Sequence, residues 1–175
     1  MENSSDWRVM LHAGQWFHGA STPLVRRSVL ESVGFQDDSL RVLEDWDWML
    51  RISQKHRIHV LPEALAVIHE NGPSNPDFTK SSTERFLAKH EAEFRAAGTA
   101  HFRRIAAQHW ENAARCFFRH SRNREGVVCV VRSLAFSPAR NPTVVAALPL
   151  AFIDGVLGTR LLRRVLKSRS GYSII

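Results

Sequence analysis

The 175 residues carry a net charge of +7, with 44% hydrophobic and 23% charged side chains, a balance that suits one ordinary globular domain, or a small domain with a helical extension, and excludes a disordered chain. The two cysteines, Cys116 and Cys129, lack C-x-x-C spacing, which excludes a disulfide framework and a zinc knuckle and leaves two buried thiols as the expectation. Charge is unevenly placed: residues 1–70 hold seven Lys/Arg against ten Asp/Glu, and residues 71–175 hold 17 against seven, so the two parts are expected to meet different partners.

In chain order, the N-terminal stretch "MENSSDWRVM" has neither the basic nor the apolar region of a signal peptide, and no apolar run approaches the ~20 residues that cross a bilayer, so the expected location is cytoplasmic. The stretch "RRSVLESVGF" predicts a short helix from Arg26 to Val33, closed by Gly34 in a left-handed cap. After the polar turn "QDDS", apolar residues recur from Glu44 to His56 as Trp46, Met49 and Leu50, with Trp48 and Ile52 on another face. This predicts a helix that is largely buried. The runs "IHVL" and "ALAVI", separated by Pro62 and Glu63, predict a short strand pair. The loop "ENGPSNPDF" follows His69.

From there the pattern is helical. Ser81 and Glu84 stand at capping-box spacing ahead of Phe86, Leu87 and Phe94, and Gly98 closes the segment. Phe102, Ile105, Ala106, His109, Trp110, Ala113 and Phe117 make the next apolar stripe, and "NREG" leads to another with Val127, Val130, Val131 and Leu134. The two stripes predict a helical hairpin, similar to a single tetratricopeptide-like pair with no second copy in period. The tail has an apolar first half, interrupted by Pro149 and Asp154, and a basic end with Arg160, Arg163, Arg164, Lys167 and Arg169. Such an amphipathic helix suits either an anionic membrane surface or a neighbouring helix with its basic face in water. No aromatic interleaving or known binding module accompanies the charge, so nucleic acid is not expected as a partner.

The residues with chemical capacity crowd into "RVLEDWDWMLRI". Asp47 and Arg51 are four apart on one helix, in good order for an ion pair, which makes Asp47 a structural residue. Glu44 and Asp45 fall in the first turn, where the helix's positive end favours carboxylates. Flanking indoles would wall that turn, and a carboxylate held between apolar walls is shifted towards the range useful to a general base. His56 and His59 flank the predicted strand with no partner in spacing and are read as structural.

The segment from Thr22 to Asn75 resembles the second half of the catalytic domain of family-two glycosyltransferases, on "VGFQDDSL", "EDWDWMLRI" and "LPEALAVIH", preceded by Arg26 or Arg27. The resemblance implies a GT-A nucleotide-diphospho-sugar transferase fold, so the expected fold class is an α/β remnant followed by an α-helical C-terminal region, mostly helical overall. With the helical pattern beyond it, the expected boundaries are 1–77 for the acceptor-side part of the transferase domain, 78–137 for the tetratricopeptide-like helical hairpin and 138–175 for the basic amphipathic C-terminal helix. The resemblance also implies that Asp45 is the base taking a proton from the acceptor hydroxyl in an inverting transfer, that Glu44 supports it, and that His69 lies near a divalent metal, magnesium or manganese. Val67 and Ile68 stand where family members carry Tyr-Arg before that histidine.

The implied partners are a nucleotide-diphospho-sugar donor and a polysaccharide or lipid-linked glycan acceptor. The resemblance further implies a nucleotide-binding half ahead of this segment, with an Asp-x-Asp metal motif that these residues do not supply. The expectation is therefore an acceptor-side half, inactive alone, with apolar surface bared on the Trp46/Trp48 helix. The alternative expectation is a non-catalytic helical module that docks on a partner protein or a membrane surface.

Overall fold

In a computed structural model, the structure describes residues 22–59, 61, 63, 65–67, 72 and 74–138. Among the described residues five helices follow one another: α1 (Arg27–Val33), α2 (Glu44–Lys55), α3 (Pro76–Ala96), α4 (Thr99–Arg119) and α5 (Asn123–Phe136). The described residues are mostly helical, as expected. Among the described residues there is no strand, so the α/β remnant is not seen. Of the two β-rich runs, Ile58, His59, Leu61, Leu65, Ala66 and Val67 are described and carry no ladder. The reason is physical: Leu61, Leu65 and Val67 are all exposed, and β propensity makes no sheet where, among the described residues, no neighbouring strand pairs and buries it.

α1 ends at Gly34, as its sequence predicts, with ψ −179° in place of the left-handed cap. Gly34 adopts φ 80°, and its amide donates to the carbonyl of Leu30 at 2.7 Å, a backbone angle that glycine reaches without steric penalty. α3 corrects the sequence reading. It begins at Pro76, with Asn75 as N-cap accepting from the amides of Asp77 and Phe78, so the predicted Asn-Pro loop is a cap and first turn. Ser81 and Glu84 are not a capping box. The Ser81 hydroxyl donates to the Phe78 carbonyl inside the helix, and Glu84 pairs with Arg132 of α5 at 2.5 Å.

α3, α4 and α5 run up, down and up. The end of α3 meets the start of α4 through the Arg95 guanidinium over the Phe102 ring, and the start of α3 meets the end of α4 where Thr79 donates to Cys116. α4 turns into α5 through Ser121 at φ 62°, with the Arg122 amide on the Phe117 carbonyl and the Ser121 amide on the Phe118 carbonyl. Those two bonds are the paired 6→1 and 5→2 bonds of a Schellman turn. At Gly126 a Cβ would come within 2.4 Å of the Phe118 ring, so only glycine lets α5 lie this close to α4.

One continuous core holds the helices together. Leu40 and the α2 residues Trp46, Met49, Leu50 and Ile52 join Phe86, Leu87 and Phe94 of α3, Ile105, Trp110 and Phe117 of α4, and Cys129 and Val130 of α5. Both cysteines are buried and free, as expected. Burial pushes the Cys129 thiol up to about 11, which makes it a packing residue rather than a nucleophile. The basic C-terminal segment, apart from Pro138, lies outside the described residues. Among the described residues no helix is long and apolar enough to cross a membrane.

Candidate functional site

The acidic turn opens α2, and its geometry begins one residue earlier. Leu43, the N-cap, sits at φ 72° and ψ 9° with no side-chain cap bond, a left-handed conformation that costs a residue other than glycine roughly 1–2 kcal/mol. Such strain persists only where the surroundings over-determine it. Glu44 and Asp45 follow, both half-buried, at the end of the helix whose unpaired amides favour negative charge. The Asp45 carboxylate accepts from the Trp46 amide at 2.8 Å.

The two indoles diverge rather than wall the turn together. Trp46 is buried, with its ring edge-on to His109 of α4 at 5.7 Å. Trp48 is half-buried and donates its indole N–H to the Gly34 carbonyl at 3.0 Å. Two residues along a helix turn the side chain by about 200°, which sends one indole into the core and the other onto the end of α1. The bared apolar face expected on this helix is therefore absent at Trp46. Exposed apolar side chains stand instead at Leu24, Phe35, Leu61, Leu65 and Val67.

Asp47 is the electrostatic centre. It has no exposed surface. One oxygen, Oδ1, accepts from Lys89 Nζ at 2.7 Å and His90 Nε2 at 2.9 Å, and Oδ2 accepts from Arg51 Nε at 2.9 Å. The predicted Asp47–Arg51 pair is present, and Lys89 and His90 of α3 extend it. Burial pushes the Asp47 carboxyl up, but bonds from His90, Lys89 and Arg51 together outweigh it and hold the group down at about 2. Burial likewise disfavours charge on His90, and bonds to Asp47 and Glu93 reverse that and raise it above its ordinary value. Glu93 also accepts from Gln54 of α2 at 2.7 Å.

Arg51 and Lys55 reach the other way. Arg51 donates to the carbonyls of Val33 and Phe35, each at 2.7 Å, and Lys55 donates to the Ser32 carbonyl at 3.0 Å. Cations there complete the carboxyl end of α1. His56, read as structural, is within 2.5 Å of the Ser32 hydroxyl through Nε2.

α3 holds the loop that leads into the acidic turn. The buried Ser82 hydroxyl accepts from the amides of Arg41 and Val42 at 3.1 and 3.2 Å. Arg85 donates to the Ser39 carbonyl at 3.1 Å. Lys89 bonds Asp37 at 2.6 Å, and that contact holds the Asp37 carboxyl well below the usual carboxylate range. Sequence reasoning missed these residues because their partners lie about forty positions away, beyond any local spacing rule; the available signal was a polar stripe, Ser82, Arg85 and Lys89, on a helix otherwise read by its apolar face.

His69 lies outside the described residues. Among the described residues no group of three or more His, Cys, Asp or Glu is placed to hold a metal ion. The acids that cluster, Asp37 and Asp47, are both engaged by Lys89, a donor set that suits an ammonium rather than a divalent cation. Comparison with known proteins returns no match to a family model, a curated protein or a solved structure.

Proposed function

We propose that this chain is the acceptor-side part of an inverting glycosyltransferase, with Asp45 as the base and Glu44 as the group that orients it. In that reaction the acceptor hydroxyl oxygen bonds to the anomeric carbon while its proton passes to the Asp45 carboxylate. The bond from the anomeric carbon to the nucleoside diphosphate breaks, and its electron pair leaves with the phosphate. A positioned base contributes on the order of 10² to 10⁴ in rate.

The observation that carries this reading is the division of labour among three neighbouring acids. Asp47 is buried and committed to Arg51, Lys89 and His90, whereas Glu44 and Asp45 stand half-buried at the helix start, where a substrate can approach. The family resemblance of "VGFQDDSL" and "EDWDWMLRI" supports the same assignment. The remnant of a mixed sheet, the divalent metal near His69, the nucleotide-sugar donor, the glycan or lipid-linked acceptor and a cytoplasmic place at the inner face of a membrane all belong to the proposal.

The test is incorporation of labelled sugar from a panel of nucleotide-diphospho-hexoses into glycan by membranes of cells carrying the unaltered gene or its Asp45→Asn allele. Loss of one activity at unchanged protein level is the expected result. Unchanged incorporation with every donor would remove the assignment. A second reading, a non-catalytic docking module, draws on the outward face of α5, where Val128 and Val131 are exposed; it predicts no effect of Asp45→Asn and loss of partner or membrane binding on Val128→Asp.

A further inference from the structure

Three side chains of α3 spaced by three and four residues, Ser82, Arg85 and Lys89, share one helical face, and all three grip the segment that ends in the acidic turn. Ser82 takes the amides of Arg41 and Val42, Arg85 takes the Ser39 carbonyl, and Lys89 takes a carboxylate on each side of the turn, Asp37 before it and Asp47 within α2. Between the two carboxylates lies Leu43 in its left-handed conformation. Locally, the Leu43 carbonyl takes the Asp47 amide at 2.9 Å and its side chain packs against the core, with no side-chain cap bond. The bonds from α3 on both sides of it add the long-range constraints that help over-determine the backbone there.

We infer that α3 is the positioning element of the acidic turn, and that Lys89, by bridging Asp37 and Asp47, is the positioning residue that fixes where Glu44 and Asp45 point. The helical region is then part of the site and not an appendage to it. Lys89 touches no substrate in this account; it acts through the loop and the helix it ties together. Its catalytic consequence rests on the transferase reading of Asp45, whereas its structural consequence does not.

Amide hydrogen exchange on the full chain reads the clamp directly. In Lys89→Met, exchange across residues 39–46 is expected to rise by roughly tenfold or more, with the amides of α4 and α5 unchanged, because local opening is governed by the bonds that close that segment. Lys89→Arg, which keeps a cation within reach of both carboxylates, is expected to restore protection. Should Lys89→Met fail to fold, Ser82→Ala reads the same clamp through two defined amides, Arg41 and Val42, which lose their acceptor. Wild-type exchange across 39–46 in Lys89→Met, or at those two amides in Ser82→Ala, would overturn the inference.

Labelled-sugar transfer separates it from the proposed function. Asp45→Asn leaves every clamp bond in place and is expected to keep wild-type exchange while losing transfer, and Lys89→Met is expected to lose transfer with Lys89→Arg retaining it. Exchange altered by Lys89→Met, with transfer indifferent to Asp45→Asn, supports the clamp and overturns the transferase reading alone.

Discussion

Where α2 meets α3, a carboxylate with no exposed surface takes bonds from Lys89, His90 and Arg51, and Gln54 reaches Glu93 alongside. Where α4 meets α5, the Phe118 ring lies over Gly126, Phe117, Cys129 and Val130 fill the space, and the buried polar bond is Ser133 to the Ala107 carbonyl. The apolar joint buries area and is non-directional. The charged joint is directional, and it gains little net stability, because removing charges from water offsets most of their attraction. A joint needing only stability would gain as much from leucines. The charged joint therefore serves orientation: it sets the angle and register of the helix that begins with Glu44 and Asp45.

The largest expected effect comes from breaking the charged joint on one side. Asp47→Ala removes the carboxylate that His90, Lys89 and Arg51 share, leaving His90 to Glu93 and Lys89 to Asp37, and is expected to cost about 3 kcal/mol in denaturant unfolding, the low end for a broken buried pair. Next is the apolar joint. Gly126→Ala forces a methyl against the Phe118 ring, and overpacking of that kind costs about 1–3 kcal/mol with no change in pH dependence. A smaller loss, about 1 kcal/mol, is expected from Asn75→Ala, which removes the cap of α3 that the sequence disguises as a loop.

The subtlest difference between the joints is their response to pH. His90 is raised above 6.5 in the folded state, so its contribution is fully present below 6.5 and is lost as pH rises through the folded value. Asp47 is lowered from 3.8 to about 2, so its contribution is present above 3.8 and is lost as pH falls towards 2. Lys89 is raised from 10.5 and stays charged throughout that range, and Glu93 and Arg51 face the same pair. The charged joint is thus strongest between 3.8 and 6.5. Thermal melts should show stability falling above that window in the wild type and a flatter profile in His90→Gln, while Gly126→Ala keeps the wild-type shape.

Much of the local structure was legible in the sequence. Gly34 after "RRSVLESV" gave the end of α1, and the 3.6-residue stripes gave α2, α4 and α5 nearly to their ends. The Asp47–Arg51 pair followed from spacing alone. The start of α3 was not legible, because Asn-Pro signals a turn and an N-cap with proline at the first helical position equally well. The β-rich runs misled because a strand depends on a partner that lies elsewhere in the chain. Trp46 and Trp48 were read as one wall, although neighbours two apart face opposite ways on a helix. At the candidate site the sequence located the acidic turn but could not supply what holds it, since Ser82, Arg85 and Lys89 meet their partners only through the tertiary fold.

The claim that charge joins α2 to α3 is tested most directly by a double-mutant cycle between Asp47→Asn and His90→Ala, measured by denaturant unfolding at pH 6. The account predicts a coupling of about 1–3 kcal/mol, as found for buried partners in one network, that shrinks as His90 loses its proton at higher pH. Effects that add to within about 0.5 kcal/mol at pH 6 would contradict it.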